Sequence, residues 1–240
     1  MRVAVLSDIH ANLPALEAVL EVVRPCDGIW VLGDTVGYGP DPDAVVDRLR
    51  AEAALGVMGN HDAAALGLID TDAFNSMARA AVEWTAGAMR PRTAEWLAAL
   101  PERRVEGGVT LVHGSPRDPL WEYLSSVPAA RSSFGAFETR HCLVGHTHHP
   151  LVFRESDGRI EVLAPSDRSR LLLDERRCIV NPGSVGQPRD GDPRASAMLL
   201  DTESNELEWR RIPYPIARTQ KAIRALSLPG GLADRLELGV

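Results

Sequence analysis

Residues 2–10, RVAVLSDIH, decide the fold of the first half of the chain. The unbroken run of Val, Ala, Val and Leu predicts a buried β-strand that ends abruptly in polar residues. Asp8 and His10 either do no more than close this strand, or they leave its end on the same side and bind a ligand together. Asn12 separately predicts the N-cap of a helix over 13–23, with a proline in the first turn. Only the rest of the sequence distinguishes the two roles of Asp8 and His10.

Strands and helices alternate through the first half. Residues 28–32, GIWVL, and residues 55–58, LGVM, predict two more strands, and 42–53 predicts a helix between them. Strands separated by helices of about 10–15 residues indicate βαβ units and a mainly parallel sheet. Residues 63–99 then predict a wholly helical insert whose Met and Trp side chains face a core.

The second half changes character, because short strands follow one another with tight turns between them. This pattern predicts a second, more antiparallel sheet, covered by helices near 127–139 and 215–226. Its strands are expected at 108–114, 141–146, 151–155, 159–164, 177–180, 196–201 and 206–212. No linker or repeat divides the sequence, so we expect a single α/β domain over residues 1–240, in which helices flank two facing mixed sheets.

Composition excludes several classes of function. A net charge of −7 argues against a protein that binds nucleic-acid duplexes, because such a protein needs a basic face. The sequence shows no apolar run long enough to span a bilayer and no leader segment, so we expect neither a membrane protein nor an exported one. Three widely separated cysteines, Cys26, Cys142 and Cys178, predict small buried side chains rather than disulfides, which favours the cytoplasm.

Five short segments deliver Asp, Asn or His side chains directly after a predicted strand. They are Asp8-Ile9-His10, Gly33-Asp34, Gly59-Asn60-His61-Asp62, His113-Gly114 and Gly145-His146-Thr147-His148. Five of the seven histidines of the chain lie in these segments. Open α/β sheets bind their ligands just beyond the carboxyl ends of the strands, so we expect these side chains to meet.

The side chains of these segments predict a metal site. Two carboxylates, one amide and four imidazoles suit Mn, Fe, Co, Ni or Zn, whereas Ca and Mg prefer sites made of oxygen alone. Seven such groups exceed the needs of one tetrahedral ion, but two ions about 3.5–4 Å apart, bridged by a carboxylate and a hydroxide, would use all of them. A lone Gly-Asp or a lone strand-end histidine would be an ordinary turn or polar terminus. The five segments together favour two divalent transition-metal ions as cofactors.

The order and spacing of these motifs over residues 8–148 resemble the calcineurin-like metallophosphoesterase superfamily. The resemblance implies an α-β-β-α four-layer sandwich and a phosphoric ester hydrolase in which a metal-bridging hydroxide attacks phosphorus in line. It also implies that Asp34 bridges the two ions, and that His61 is a general acid over the leaving-group oxygen rather than a ligand. The other metal ligands that it implies are Asp8, His10 and His148 for one ion, and Asn60, His113 and His146 for the other.

The loop after Asp34 departs from some members of this superfamily. Protein Ser/Thr phosphatases and symmetrical diadenosine-tetraphosphate hydrolases carry GDxxxRG, in which the arginine clamps phosphate. Residues 33–42 here read GDTVGYGPDP, so that Gly37 and Tyr38 replace the usual Asp and Arg. The bidentate phosphate fork is therefore missing at this position, and His61 has no identified orienting carboxylate. This difference argues against a protein phosphatase.

This loop and the stretches 113–124 and 181–195 resemble a bacterial and archaeal subgroup of small metallophosphoesterases. That subgroup includes phosphodiesterases and asymmetrical dinucleoside-polyphosphate hydrolases. We therefore expect hydrolysis of a small phosphodiester or nucleotide, with phosphoanhydride cleavage in a dinucleoside polyphosphate as the alternative. A non-catalytic metal-binding scaffold, the role of the retromer subunit that shares this fold, is disfavoured because all seven expected ligands and His61 are present. Homo-oligomerisation is left open.

The sequence offers candidates for the substrate contacts without choosing among their roles. The expected contacts are Asn60, His61, Tyr38 and Arg189. Tyr38 either stacks on a base or packs its own loop. The helical insert at 63–99 lies between the general acid and His113 in the sequence, and we expect it to form one wall of the substrate cleft.

The segment 181–195 leaves a further alternative open. Its density of Pro and Gly is typical of a chain of turns with no other role. Alternatively, Asn181, Ser184 and Arg189 approach the metals and replace the missing phosphate fork. The same two alternatives, a turn with no other role or an approach to the metals, apply to Arg117.

Overall fold

The chain begins with alternating strands and helices and continues with a series of shorter strands. The computed structural model describes all of residues 1–240. The strands are β1 (Arg2–Leu6), β2 (Gly28–Val31), β3 (Leu55–Gly56), β4 (Arg103–Glu106), β5 (Val109–Val112), β6 (His141–Leu143), β7 (Pro150–Ser156), β8 (Arg159–Leu163), β9 (Arg170–Leu172), β10 (Cys178–Pro182), β11 (Ala195–Asp201) and β12 (Glu206–Ile212). The helices are α1 (Leu13–Val23), α2 (Pro42–Ala51), α3 (Asn60–Ala65), α4 (Ser76–Ala88), α5 (Pro91–Ala98), α6 (Val127–Ser133), α7 (Ile216–Ala225) and α8 (Gly230–Leu238). None of them combines the length and the hydropathy that crossing a bilayer requires.

The strands form two six-stranded mixed sheets. The strand order of the first sheet is β3-β2-β1-β11-β12-β9, with β1 parallel to β2 and antiparallel to β11. The order of the second sheet is β4-β5-β6-β10-β7-β8, with β5, β6 and β10 parallel to one another. Within each sheet the parallel strands end at a common edge, which is where ligands of α/β proteins bind.

Strand β1 shows how the layers form. Successive side chains of a strand point to opposite faces, so Val3 and Val5 pack between the sheets, in a core that includes Leu143 of the second sheet. Ala4 and Leu6 face the other way, into the core that helix α1 covers. Helix α6 covers the outer face of the second sheet in the same manner. The predicted α-β-β-α sandwich of two facing mixed sheets is confirmed.

The prediction that the second half of the chain forms one separate sheet is wrong for its last strands. β11 and β12, expected at 196–201 and 206–212, belong to the first sheet, because β11 pairs with β1 from Arg2↔Asp201 to Val5↔Met198. Because β1 is apolar on both faces, it can be fully buried only if it lies in the middle of a sheet. Because β2 pairs with one edge of β1, the other edge needs a strand from elsewhere in the chain, and β11 supplies it.

Three elements were not predicted, and one helix is shorter than expected. Strands β4 and β9 are short and lie at or near the sheet edges, where their polar, partly exposed side chains give little strand pattern. Helix α8 begins with Gly230-Gly231, which have poor helix propensity. The helix expected over 127–139 ends at Ser133 and is followed by a short 3₁₀ turn.

The helical insert is not wholly helical. It contains the end of α3, then a turn region at 66–75, then α4 and α5. The Asn75 side chain ends the turn region by accepting a hydrogen bond from the backbone N–H of Ala78, at 3.0 Å, which caps α4. Helix α4 then packs on the C-terminal helices α7 and α8, where Ala78 shares a core with Ile223 and Leu232.

Candidate metal centre

Seven polar side chains converge at the edge where the parallel strands end. They are Asp8 and His10 after β1, Asp34 after β2, Asn60 at the start of α3, His113 after β5, and His146 and His148 after β6. None of the seven residues exposes more than 3 % of its surface. The structure therefore brings together every side chain that the sequence analysis named as a ligand.

The first cluster consists of Asp8, His10, Asp34 and His148, each with a donor atom within 4.8 Å of the others. His148 Nε2 lies 3.2 Å from His10 Nε2 and 3.3 Å from Asp8 Oδ1. His10 Nε2 lies 3.5 Å from Asp34 Oδ2. Four donor atoms thus surround one small volume.

The second cluster shares a carboxylate with the first. Asp34, His113 and His146 again place donor atoms within 4.8 Å of one another. His113 Nε2 lies 3.3 Å from Asp34 Oδ2 and 3.1 Å from His146 Nδ1. The Asn60 amide oxygen lies 3.0 Å from the same His113 nitrogen. Because Asp34 Oδ2 faces both clusters, one carboxylate oxygen lies between two sets of imidazole donors.

The hydrogen bonds of the imidazole rings show that these clusters suit cations. One nitrogen of each ring faces a backbone carbonyl: His10 Nδ1 and Val36 O at 3.2 Å, His113 Nδ1 and Leu32 O at 2.8 Å, His148 Nδ1 and Gln187 O at 2.5 Å, His146 Nε2 and Trp121 O at 3.2 Å. A carbonyl only accepts, so the facing nitrogen carries a proton and a neutral ring turns a lone pair toward the cluster. In the first cluster, the lone pairs of His10 Nε2 and His148 Nε2, 3.2 Å apart, repel each other unless a cation lies between them. The donor set therefore fits divalent ions.

The backbone at the site is strained. Five of the seven residues have φ in the left-handed region, between 49° and 65°: Asp8, His10, Asp34, His146 and His148. This conformation costs a non-glycine residue about 1–2 kcal/mol. Backbone hydrogen bonds maintain it, since the N–H of Asp8 donates to Gly33 O at 3.1 Å and that of His10 donates to Asp34 O at 2.9 Å. Strain of this kind clusters at functional sites, and here it aims the side chains inward.

Asp62 holds two loops of the site together, a role that the sequence analysis did not give it. Its buried carboxylate accepts a hydrogen bond from the N–H of Val36 and one from the N–H of Gly59, each at 3.0 Å. The loop that carries Asp34 is thereby tied to the start of the helix that carries Asn60. Asp62 stands three residues after the N-cap Gly59, a position from which an acidic side chain reaches back to the N-cap N–H, and this spacing could have revealed the Gly59 contact but not the one with Val36.

His61 lies beside the clusters and is held by packing. Its ring centroid lies 4.3 Å from that of Tyr38, 4.8 Å from that of His10 and 4.9 Å from that of Phe74. Its Nδ1 atom is buried without a hydrogen-bond partner. A Cβ atom added to Gly37 would lie 2.5 Å from this nitrogen, so the ring packs directly against the Gly37 backbone and leaves no room for a side chain there.

Tyr38 and Arg189 approach the site from one side. The Tyr38 ring is buried, with 6 % of the residue exposed, and lies 4.7 Å from the His10 ring, so the structure favours packing over stacking on a base. Arg189 Nη2 lies 3.5 Å from the Tyr38 hydroxyl and donates to Gln187 Oε1 at 2.8 Å. Burial raises the pKa of the Tyr38 phenol, and the charge of Arg189 lowers it. Of the residues in 181–195, Arg189 is the one that brings a positive charge to the clusters.

The other residues considered as replacements for the phosphate fork have structural partners. Asn181 Nδ2 donates to Gly145 O at 2.6 Å, which supports the turn after β6. The Ser184 hydroxyl donates to Asp8 O at 2.8 Å. Arg117 forms an ion pair with Glu122 at 3.3 Å, and its side chain is 46 % exposed. These contacts place Asn181 and Ser184 behind the site and Arg117 at the surface.

Comparisons with known proteins agree with this geometry. Residues 1–205 match the model of the calcineurin-like phosphoesterase superfamily domain. The chain belongs to this superfamily. It is therefore a metal-dependent phosphoester hydrolase, as the resemblance of its motifs implied. Strand β12 and the helices α7 and α8 lie outside the matched residues.

Individual relatives cover almost the whole chain. A metallophosphoesterase structure from Sphaerobacter thermophilus is 44 % identical, covers 100 % of this chain and 99 % of its own, and has a TM-score of 0.92. An uncharacterised protein of Methanocaldococcus jannaschii is 37 % identical over 99 % of this chain and 98 % of its own length. The Escherichia coli phosphodiesterase YfcE is 28 % identical over 83 % of this chain and 87 % of its own.

Burial and neighbouring charges set the ionisation of the side chains in the two clusters. Burial lowers the pKa of His146 to about 3 and that of His10 and His148 well below the usual range, so these rings are neutral near pH 7. Burial also acts to lower the pKa of His113, but the charge and hydrogen bond of Asp34 outweigh it and raise that pKa to about 9. Burial acts to raise the pKa of Asp34, yet the opposing charge of His113 contributes to holding it well below its usual range.

We expect metal binding at the second cluster to displace the proton of His113. A pKa of about 9 leaves this ring protonated at pH 7, whereas an ion needs its Nε2 lone pair. Higher pH removes the competing proton, so the affinity for Mn²⁺ should rise about tenfold per pH unit between pH 6 and 8. Calorimetric titration with Mn²⁺ at pH 7, in two buffers of different ionisation enthalpy, should show proton release.

A control and a contrary result follow from the same titration. His141→Asn changes a histidine outside both clusters and should leave the proton count unchanged. Binding of Mn²⁺ without proton release, and with an affinity independent of pH, would contradict the predicted competition.

Proposed function

We propose that the chain hydrolyses a small phosphodiester or a nucleotide with two divalent ions held at these clusters. The observation that carries the proposal is the position of Asp34 Oδ2, which lies 3.5 Å from His10 Nε2 and 3.3 Å from His113 Nε2. A carboxylate oxygen that faces two sets of imidazoles suits a pair of metal ions. Closed structural metal sites, in contrast, are usually rich in thiolates. The other ligands are Asp8, His10 and His148 for one ion, and Asn60, His113 and His146 for the other, with Mn, Fe, Co, Ni or Zn as the metals.

Other steps of the proposed reaction depend on side chains of the chain itself. Bound divalent ions supply positive charge for the phosphoryl oxygens and lower the pKa of water. His61 gives a proton to the departing oxygen. Arg189, whose Nη2 atom lies 2.8 Å from Gln187 Oε1, supplies the guanidinium that the loop after Asp34 lacks. Asn60 is a substrate contact as well as a ligand.

Hydrolysis of two chromogenic esters tests the proposed function. Protein freed of metal should be inactive, and Mn²⁺, Ni²⁺ or Zn²⁺ should restore hydrolysis of bis-p-nitrophenyl phosphate more than that of p-nitrophenyl phosphate. Ca²⁺ serves as the matched control and should restore little, because it prefers oxygen ligands. No turnover with any transition metal, although two ions are bound, would refute the proposal and favour a scaffold. The products formed from a dinucleoside polyphosphate separate diester from phosphoanhydride cleavage.

The cytoplasm is the compartment that we propose for this reaction. All three cysteines are free, and Cys142 and Cys178 are buried. A reducing compartment keeps such thiols unpaired.

A further inference from the structure

A row of aromatic side chains connects His61 with the second cluster. The Phe74 ring, from the turn region before α4, meets the His61 ring edge-on at 4.9 Å and the Trp121 ring at 5.1 Å. The Trp121 carbonyl accepts the hydrogen bond of His146 Nε2 at 3.2 Å. The Tyr123 ring is stacked on the His146 ring, with 3.8 Å between centroids and 27° between planes. We call Phe74, Trp121 and Tyr123 the aromatic wall.

The aromatic wall is open to solvent, although the ligand candidates beneath it are buried. Tyr123 is 52 % exposed even though His146 covers one face of its ring, so the opposite face is free. Phe74 and Trp121 are partly exposed. An exposed aromatic surface next to a polar site is typical of a surface that binds a ligand.

We propose that the aromatic wall stacks against a planar aromatic group, a nucleobase, that the substrate carries on its phosphate. This inference rests on the proposed function, which places the phosphate at the two clusters and the departing oxygen at His61. Phe74 touches His61, so a group on the departing oxygen runs along the aromatic wall toward Tyr123.

The shape of the aromatic wall favours a base over an alkyl chain. The Tyr123 ring, in a residue that is 52 % exposed, offers a flat open face rather than an enclosed apolar pocket, and each of the four bases has a π-face that can stack on it. An alkyl chain gains only contact area on such a face, without the preferred geometry of two stacked rings.

Binding of three phosphate monoesters to the Mn²⁺-loaded protein tests the proposal. Adenosine 5′-monophosphate, ribose 5-phosphate and hexyl phosphate share the phosphate and differ in what they present to the aromatic wall. Calorimetry should show that adenosine monophosphate binds roughly tenfold or more tightly than the other two, because one stacked base has an effect of this size. Equal affinities for all three, equal affinities for adenosine monophosphate and hexyl phosphate, or no binding of any of them would overturn the proposal.

Variants test whether the aromatic wall causes the preference for adenosine monophosphate. In Tyr123→Ala and Phe74→Leu the preference for adenosine monophosphate over ribose 5-phosphate should fall severalfold, while the affinity for ribose 5-phosphate and the Mn²⁺ content stay unchanged. Tyr123→Phe keeps the ring and should keep the preference. Leu172→Ala removes an exposed side chain on a strand outside the site, 59 % exposed, and is the control. A full preference in both wall variants would contradict the assignment.

Catalysis by the same preparations separates the two proposals. Hydrolysis of bis-p-nitrophenyl phosphate in the presence of Mn²⁺ depends on the two clusters and needs no base-binding surface. If hydrolysis occurs and the three monoesters bind equally, base binding by the aromatic wall is refuted, whereas the proposed phosphoesterase reaction is supported. If adenosine monophosphate binds preferentially without hydrolysis of any ester, base binding is supported and the proposed reaction is refuted.

Discussion

Asp34→Asn should lower kcat/KM for bis-p-nitrophenyl phosphate by about 10³-fold or more, since loss of one preorganised electrostatic contact already costs about 10²–10³. Asp34 Oδ2 is the oxygen that both clusters share, and Oδ1 accepts the backbone N–H of His61 at 2.9 Å. An amide keeps the size of the side chain but removes its charge. Assays with Mn²⁺ and a metal analysis of the purified variant should show low turnover together with reduced metal content.

The neighbourhood of Asp34 makes a stability control necessary. Asp34 is buried, and the substitution also removes the charge that pairs with His113, so thermal unfolding of the metal-free variant should be recorded. Asp72→Asn changes an aspartate whose side chain is 91 % exposed in the turn region of the insert, and it should retain activity. A folded Asp34→Asn protein with normal turnover and two bound ions would contradict the bridging role.

The sequence predicted which polar side chains lie together better than it predicted the strand order, for a physical reason. Asp8, Asp34 and His113 each follow an apolar run, so a local pattern marks them, and parallel strands bring their ends to one edge without further information. The pairing of β11 with β1 is specified by no local pattern. It depends on which strand covers the second edge of β1, and the separation between Arg2 and Asp201 in the sequence hides that contact.

The sequence alone also could not identify the side chains whose role depends on contacts with residues far away in the chain. The 181–195 segment offered Asn181, Ser184 and Arg189 as equal candidates, and only the fold shows that the first two donate to backbone carbonyls while Arg189 turns toward Tyr38. Tyr123 gave no signal at all, because its partner His146 lies on another strand end. Local patterns identify residue types that suit a ligand, whereas burial and neighbours decide which of them are free to bind it.

His61→Ala should slow the hydrolysis of an alkyl phosphodiester by about 10²–10⁴-fold, the range typical of general acid catalysis. The same change should slow release of p-nitrophenolate by only about tenfold or less, because this leaving group needs no proton. The measurement is kcat for two diesters that differ only in the leaving group, each with wild type and variant. Equal losses for both leaving groups would show that His61 positions the substrate without donating a proton.

The pH dependence of the alkyl reaction gives an independent check on His61. Burial lowers the pKa of this ring to about 4 and Asp34 opposes the shift, so the free protein carries a neutral imidazole near pH 7. A bound phosphodiester anion favours the protonated ring, and its population grows as the pH falls from 8 toward 6. Turnover of the alkyl diester at saturating metal should therefore rise over that interval in wild type, whereas His61→Gln, which keeps a hydrogen-bond donor but supplies no proton, should lose this rise. A variant that retained the wild-type profile would place the proton donor elsewhere, and the packing of His61 on Gly37 and Tyr38 would then be its whole contribution.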